Sequence, residues 1–321
     1  MTTSPPTSLP LVSVVVPCFN YGRYVADAIE SALNQDWPEL EVIAVDDGST
    51  DDTLAVLESF GSAIRVIHRE NGGVNAATDT GVAAARGELI TFLDADDTWP
   101  AGRVRVLAEA LLAQPEAGAA YGDMRVLDEH GAVVHASFNA HKGYPTAPSG
   151  RFLGQILAFN CVSAGAMMVR AALRDCFHPI PAHGGWHDWW IATQILRETQ
   201  IVSVPDVVNL YRQHGANTNM GADEARAVGL LRTELSFRQW VIANTAPPLV
   251  TIRDLLQALA ALDWAVARIA QFDRVAQETV AAEDRGAAEA AYQAGHTLIC
   301  DGHTESGLAK IVAAAAHAPG W

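Results

Sequence analysis

The sequence predicts an α/β fold, a mostly parallel Rossmann-like sheet with flanking helices and a helical C-terminal extension. Three observations lead there. Over roughly the first hundred residues, short apolar runs alternate with amphipathic helical patterns, which is the signature of successive βαβ units. The runs end in turn-rich or acidic segments, as strands do where they leave a sheet. After about Met220 the composition shifts to Ala-rich helix, with Leu255, Leu259, Leu262, Val266 and Ile269 spaced for one buried face.

In chain order, Val12–Val16 is an apolar strand expected to stop at Pro17, followed by the turn-rich Cys18-Phe19-Asn20-Tyr21-Gly22. Val25, Ala28, Ile29, Ala32 and Leu33 then fall on one helical face. Glu41–Val45 is the second strand and runs into Asp46-Asp47-Gly48-Ser49-Thr50. Ser49 with Asp52 matches a capping box for a helix marked by Leu54, Leu57 and Phe60. Ile64–Ile67 is the third strand, Asn71-Gly72-Gly73 a loop, and Val74–Arg86 a helix. It leads to the apolar run Glu88–Leu93, directly behind which stand Asp94, Asp96 and Asp97. Like charges clustered at a strand end are costly unless a cation or ligand sits among them, so this stretch reads as a site.

Farther on, Arg103–Leu112 reads as a helix and Ala119–Leu127 as a strand. Phe138–Arg151 is a Gly/Pro/His loop, and Ser163–Val169 runs from small residues into a strand. Gly184-Gly185-Trp186-His187-Asp188-Trp189-Trp190 opens a helix. Ile201–Val204 and Val207–Tyr211 are short strands, the second ending in Arg212-Gln213-His214-Gly215. The domains are read as a leader over 1–10, an α/β domain over 11–220 in two halves, 11–100 and 101–220, and a helical region over 221–321.

The formal net charge of -16, with Lys142 and Lys310 the only lysines, excludes a phosphate-backbone binder, because nucleic acid needs a basic stripe. A nucleotide remains compatible through a bridging divalent ion. Cys18, Cys161, Cys176 and Cys300 have neither CxxC pairing nor metal-ligand spacing, so they read as reduced structural residues of a cytoplasmic protein. The leader MTTSPPTSLP lacks a basic region and an apolar core, and no apolar run is long enough to span a bilayer; loose attachment at a membrane surface is left open.

The ordered set VSVVVPCFN, VDDGST, ENGG, FLDADD, HDWW and YRQHG resembles the inverting family 2 glycosyltransferases of GT-A fold, over roughly residues 12 to 218. HDWW is similar to a bacterial subgroup described as rhamnosyltransferases. The resemblance implies transfer of a sugar from a UDP- or dTDP-sugar to a hydroxyl of a saccharide or glycoconjugate acceptor, in bacterial polysaccharide or glycoconjugate synthesis, with Mn2+ or Mg2+ as cofactor. Pro17, Phe19, Asn20, Asp47 and Asp94 are implied to bind the nucleotide, Phe19 by stacking on the base and Asp94 near the ribose. Asp96 and His214 are implied to hold the metal, while Asp97 reads as structural. Asp188 is implied to be the general base, with Gly165, Trp186, His187 and Trp189 on the acceptor side. Two departures stand out: Thr78 and Asp79 replace an Arg-Asn pair common in relatives, and His187 replaces an acid ahead of the base. The C-terminal helices are expected to offer a homodimer contact. The rival readings are a non-catalytic nucleotide-sugar-binding module and a sugar nucleotidyltransferase. The latter should carry a Gly-rich basic loop where this chain has Pro17-Cys18-Phe19-Asn20.

Overall fold

The computed structural model describes residues 9–144, 147–181 and 186–215, together with 217, 233, 236, 237, 240, 241 and 244. The readings of Leu255 to Ile269, Cys300, the leader and the boundary at residue 220 lie outside the described residues. Two compact units are distinguished; helix α6 (Leu153–Ala158) and Trp186 belong to one, and the sheet with its other helices to the other.

The sheet is built around β1 (Val12–Cys18), which is buried along its whole length. It pairs in parallel with β2 (Leu40–Asp46) on one side and β4 (Leu89–Phe92) on the other, and β3 (Arg65–His68) adds in parallel to β2. A central strand covered on both faces needs apolar side chains pointing both ways, which is why Val12–Val16 is nearly continuous valine. Pro17 does not end the strand: it stays in register with Val45 of β2. The ladder on the other side closes at Val15 opposite Phe92, so position 17 has a strand partner on one side only and the missing N–H is tolerated.

Helices α1 (Val25–Leu33), α2 (Thr53–Ser59) and α3 (Val74–Ala84) connect these strands. A Cβ at Gly81 of α3 would lie 2.3 Å from Val15 Cγ1, so that glycine sets the close approach of α3 to β1. The capping box is not formed. The Ser49 hydroxyl instead accepts from the Asn20 amide (3.0 Å), and Asp51 accepts from the Thr53 amide (3.0 Å) at the start of α2.

The second half of the sheet is mixed. β7 (Met167–Arg170) runs antiparallel between β4 and β5 (Ala117–Leu127), β6 (Val133–His135) pairs antiparallel with the end of β5, and β8 (Gln200–Arg212) lies parallel to β5. The order is β3-β2-β1-β4-β7-β5-β6, with β8 on β5. The two short strands expected at 201–211 are thus one. Tyr121 and Asp123 of β5 face Ser203 and Val207, so β8 carries two extra residues there and absorbs Pro205 as a bulge. Gly122 leaves room for it, since a Cβ would lie 2.6 Å from the Asp206 carbonyl oxygen.

Within the expected 138–151 loop, α5 (Phe138–Lys142) forms one short turn capped by Ser137, whose hydroxyl accepts from Ala140 N at 3.0 Å. The other helices of this unit are α4 (Arg103–Ala113), α7 (Arg174–Phe177) and α8 (His187–Glu198).

Candidate active site

Because β1 lies between β2 and β4 in parallel register, the segments leaving all three strands emerge together at one sheet edge. Two of these segments are fastened to each other. Asn20, in the left-handed region at φ 59°, accepts from Thr50 N at 2.8 Å through its side-chain oxygen, and Gly22 N donates to Asp51 at 3.0 Å. The clamp leaves Phe19 43% exposed, so it presents a free aromatic face instead of filling the core.

Asp46 and Asp47 are both buried at the end of β2. Asp47 binds the Arg69 guanidinium and accepts from Gly72 N (3.1 Å) and Gly73 N (2.7 Å), holding the loop that enters α3. Asp46 meets His68 Nδ1 at 2.7 Å through one oxygen; the other is buried without a partner.

Behind β4 the three acids part company. Asp97, 1% exposed, accepts from Asn209 Nδ2 at 2.7 Å and from Arg212 N at 2.9 Å, and so ties the acidic loop to β8. Burial, and then Asp96 and Asp94, push its pKa well above the usual carboxylate range. Thr98 and Leu210 exchange backbone hydrogen bonds next to it (2.9 and 3.3 Å). This docking of β8 delivers His214, whose Nε2 lies 3.1 Å from Asp96 Oδ2 although 118 residues separate the two. Both are buried, and the imidazole stacks on Tyr24 with ring centroids 4.6 Å apart. Asp94 is half-buried, and its pKa is pushed up to about 6, first by burial, then by Asp96 and Asp188, against the opposing effect of His187. Asp188, in the first turn of α8, is half-buried and accepts from Trp189 N at 2.6 Å.

A cation at Asp96 and His214 fits this arrangement. Their Nε2 and Oδ2, 3.1 Å apart, are an imidazole nitrogen and a carboxylate oxygen, donor types that a divalent ion would accept together. Among the described residues no group of three or more His, Cys, Asp or Glu could hold an ion. Such a cation would therefore complete its shell with waters and phosphate oxygens, as Mg2+-type ions do.

Several sequence expectations are corrected. Trp189 is 1% exposed and Trp190 7%, with the Trp190 indole N–H donating to the Phe177 carbonyl (2.8 Å); both are core side chains and offer no face to a sugar. Gly165 is buried too; its carbonyl accepts from Arg103, and a Cβ there would lie 2.9 Å from Asn209 Nδ2. Trp186 is half-buried and belongs to the other unit. Arg212 Nη2 pairs with Asp27 at 3.0 Å. Asp79, at the departed Arg-Asn position, accepts from His178 Nδ1 (2.7 Å) and Ile180 N (2.8 Å).

Residues overlooked in the sequence include Tyr24, Asn209 and, above all, Arg103. The Arg103 side chain is 1% exposed and donates to Thr91 Oγ1 (2.6 Å), Gly165 O (2.8 Å), Val208 O (3.1 Å) and Met167 O (3.2 Å), over the face of Trp99. An arginine opening an amphipathic helix gives no sign of burial; its acceptors lie on β4, β7, β8 and the turn before β7.

The profile of Glycosyl transferase family 2 matches residues 13–177, just over half of the chain and the part that holds β1, β2 and the acidic loop. The chain belongs to glycosyl transferase family 2. Within it, chondroitin synthase of Escherichia coli is 34% identical over 134 residues, 41% of this chain and 20% of that protein. The chain matches only about a fifth to a third of the length of that relative and of two other curated ones. Among solved structures, the mannosyltransferase PcManGT of Pyrobaculum calidifontis, in complex with GDP-Man and Mn2+, superposes with a TM-score of 0.62 at 23% identity, covering 97% of this chain and 88% of that one. S. aureus TarS with UDP gives 0.55 at 17% identity, covering 96% and 90%. The family 2 chain therefore has the GT-A-like fold of these enzymes, as its sequence motifs implied.

Proposed function

We propose that this protein is an inverting, divalent-metal-dependent glycosyltransferase that moves a sugar from a UDP- or dTDP-sugar to an acceptor hydroxyl in bacterial polysaccharide or glycoconjugate synthesis. The observation that carries the reading is the meeting of Asp96 and His214 at 3.1 Å, beside the strand-end loops that offer Phe19 and Asp94. Family membership and relatives whose structures hold GDP-Man with Mn2+, or UDP, support it.

In this reading Phe19 stacks on the base, Pro17 and Asn20 shape the first loop, Asp47 with Arg69 lies at the base edge, and Asp94 faces the ribose. Asp96 and His214 would hold the cation, which when bound supplies positive charge against the diphosphate. Asp188 takes the proton of the acceptor hydroxyl as its oxygen bonds the anomeric carbon and the bond from that carbon to the diphosphate oxygen breaks. The electron pair leaves with the diphosphate. A single displacement from the opposite face inverts the anomeric configuration and needs no covalent nucleophile on the chain.

Asp188→Asn is the discriminating variant. It is expected to lower turnover at least about a hundredfold, the usual scale of general-base catalysis, while nucleotide binding stays within a factor of about two. Transfer retained in this variant contradicts the base assignment, and a product of retained anomeric configuration by NMR contradicts inversion. A non-catalytic binding module would show no transfer in the wild type either.

A further inference from the structure

His187 is a side chain beside the acidic cluster for which the reading above has no use beyond its place in the chain. It is 93% buried by the 7% exposure of the residue, it adjoins Asp188, and it lies edge-on to Phe92 at the end of β4, with centroids 6.5 Å apart. Neither Nδ1 nor Nε2 has a hydrogen-bond partner among the described residues. Burial, its main influence, pushes its pKa down and favours the neutral ring, with Asp94 opposing. A neutral imidazole carries one N–H donor and one acceptor. Leaving both buried and unpaired is costly, and a leucine or phenylalanine would fill such a place at no such cost. A ligand hydroxyl entering beside the ring would supply the missing partner for both nitrogens.

The surroundings say what that ligand is. His187 is the first residue of α8, directly ahead of Asp188. The electrostatic influence of both His187 and Asp188 is felt at Asp94. Between a carboxylate assigned to the ribose side of the donor and one assigned to the acceptor hydroxyl lies the transferred sugar.

We propose that His187 is a specificity-determining residue whose imidazole hydrogen-bonds a hydroxyl of the transferred sugar, both giving and accepting, between Asp94 and Asp188. This rests on the glycosyltransferase reading above. It makes the chain's preference among sugars depend on the hydroxyl that His187 meets, independently of the base of the nucleotide.

The test compares binding of UDP, GDP and dTDP with that of UDP-glucose, UDP-GlcNAc, GDP-mannose and dTDP-rhamnose by isothermal titration in Mn2+. The pair used is the one the wild type binds. His187→Phe keeps the ring size without the nitrogens. It is expected to melt no lower than the wild type, to bind the bare diphosphate within about twofold, and to bind its sugar ester at least about tenfold more weakly, the worth of one good hydrogen bond. His187→Gln, which restores one donor and one acceptor, is expected to recover most of the loss. Should the Phe variant fail to fold, His187→Leu carries the same comparison. Equal weakening of diphosphate and sugar ester, or no weakening of either, overturns the proposal and leaves His187 a packing residue. A wild type that binds the diphosphates but gains nothing from any sugar overturns it as well. A wild type that binds no member of the set overturns the glycosyltransferase reading and this proposal with it.

Discussion

Replacing Arg103 by methionine tests how the acidic loop is held in place. The guanidinium joins the helix α4 to β4 through Thr91, to the turn before β7 through Gly165, to β7 itself through Met167, and to β8 through Val208. Burial pushes its pKa well down, yet an arginine starts so high that it stays charged. Among the described residues no carboxylate is paired with it; its charge is met by carbonyl dipoles and the face of Trp99. Methionine fills most of the volume but donates nothing. Met167 O keeps a second donor in the Thr91 hydroxyl (2.7 Å), whereas the Gly165 and Val208 carbonyls lose a buried donor at about 1–3 kcal/mol each. Part of this is offset because a buried cation no longer has to be desolvated. The net expectation is about 3 kcal/mol of lost stability, roughly 150-fold in the folding equilibrium. Arg103→Lys should cost nearly as much, because an ammonium cannot reach acceptors on three sides. Urea unfolding followed by circular dichroism reads this as a lower midpoint at unchanged slope. A methionine variant within 1 kcal/mol of the wild type refutes the idea that this side chain is the tie.

Three further outcomes are expected. Asp97→Ala orphans the Asn209 amide and the Arg212 N–H and should cost about 2–4 kcal/mol, whereas Asp97→Asn should cost under about 1 kcal/mol because Asn209 can flip its unpartnered oxygen toward the new amide; equal midpoints for the two variants contradict this. For Glu41, burial would raise the pKa, but hydrogen bonds from the Ser13 hydroxyl and the Arg86 amide and guanidinium outweigh it and hold the carboxyl low. A depressed folded-state pKa stabilises above the ordinary carboxylate range and is lost as pH falls through the folded value, so the stability gap between wild type and Glu41→Gln should be full at neutral pH and shrink below about pH 4. A gap that stays constant over that range in denaturant titrations contradicts it. Gly81→Val drives a side chain into Val15 and should cost at least about 2 kcal/mol of stability, read as a lower urea midpoint.

The parallel half of the sheet was readable because its strands are buried on both faces, and valine runs between helical stripes have few other readings. The acidic cluster was read as Asp94 toward a nucleotide, Asp96 toward a metal and Asp97 as structural; to this the structure adds the buried hydrogen bonds of Asp97 and the meeting of Asp96 with His214. What escaped depended on distant partners. Whether Ser49 capped α2 or clasped Asn20 was decided by a loop about thirty residues away. Three tryptophans around an acid look alike whether they line a cleft or fill a core, and Trp189 and Trp190 fill the core. Pro205 divided one strand into two on paper because a bulge leaves no local signature. Arg103, a buried charged side chain of the site's support, is indistinguishable in sequence from the half-buried Arg105 two positions later.

The central claim is that Asp96 and His214 together bind the donor through a divalent ion. Thermal unfolding with a nucleotide sugar at about a hundred times its dissociation constant should show stabilisation of about 2.7 kcal/mol in Mn2+, lost on chelation and lost in both Asp96→Ala and His214→Ala. Equal stabilisation with and without Mn2+, or stabilisation kept in His214→Ala, contradicts it.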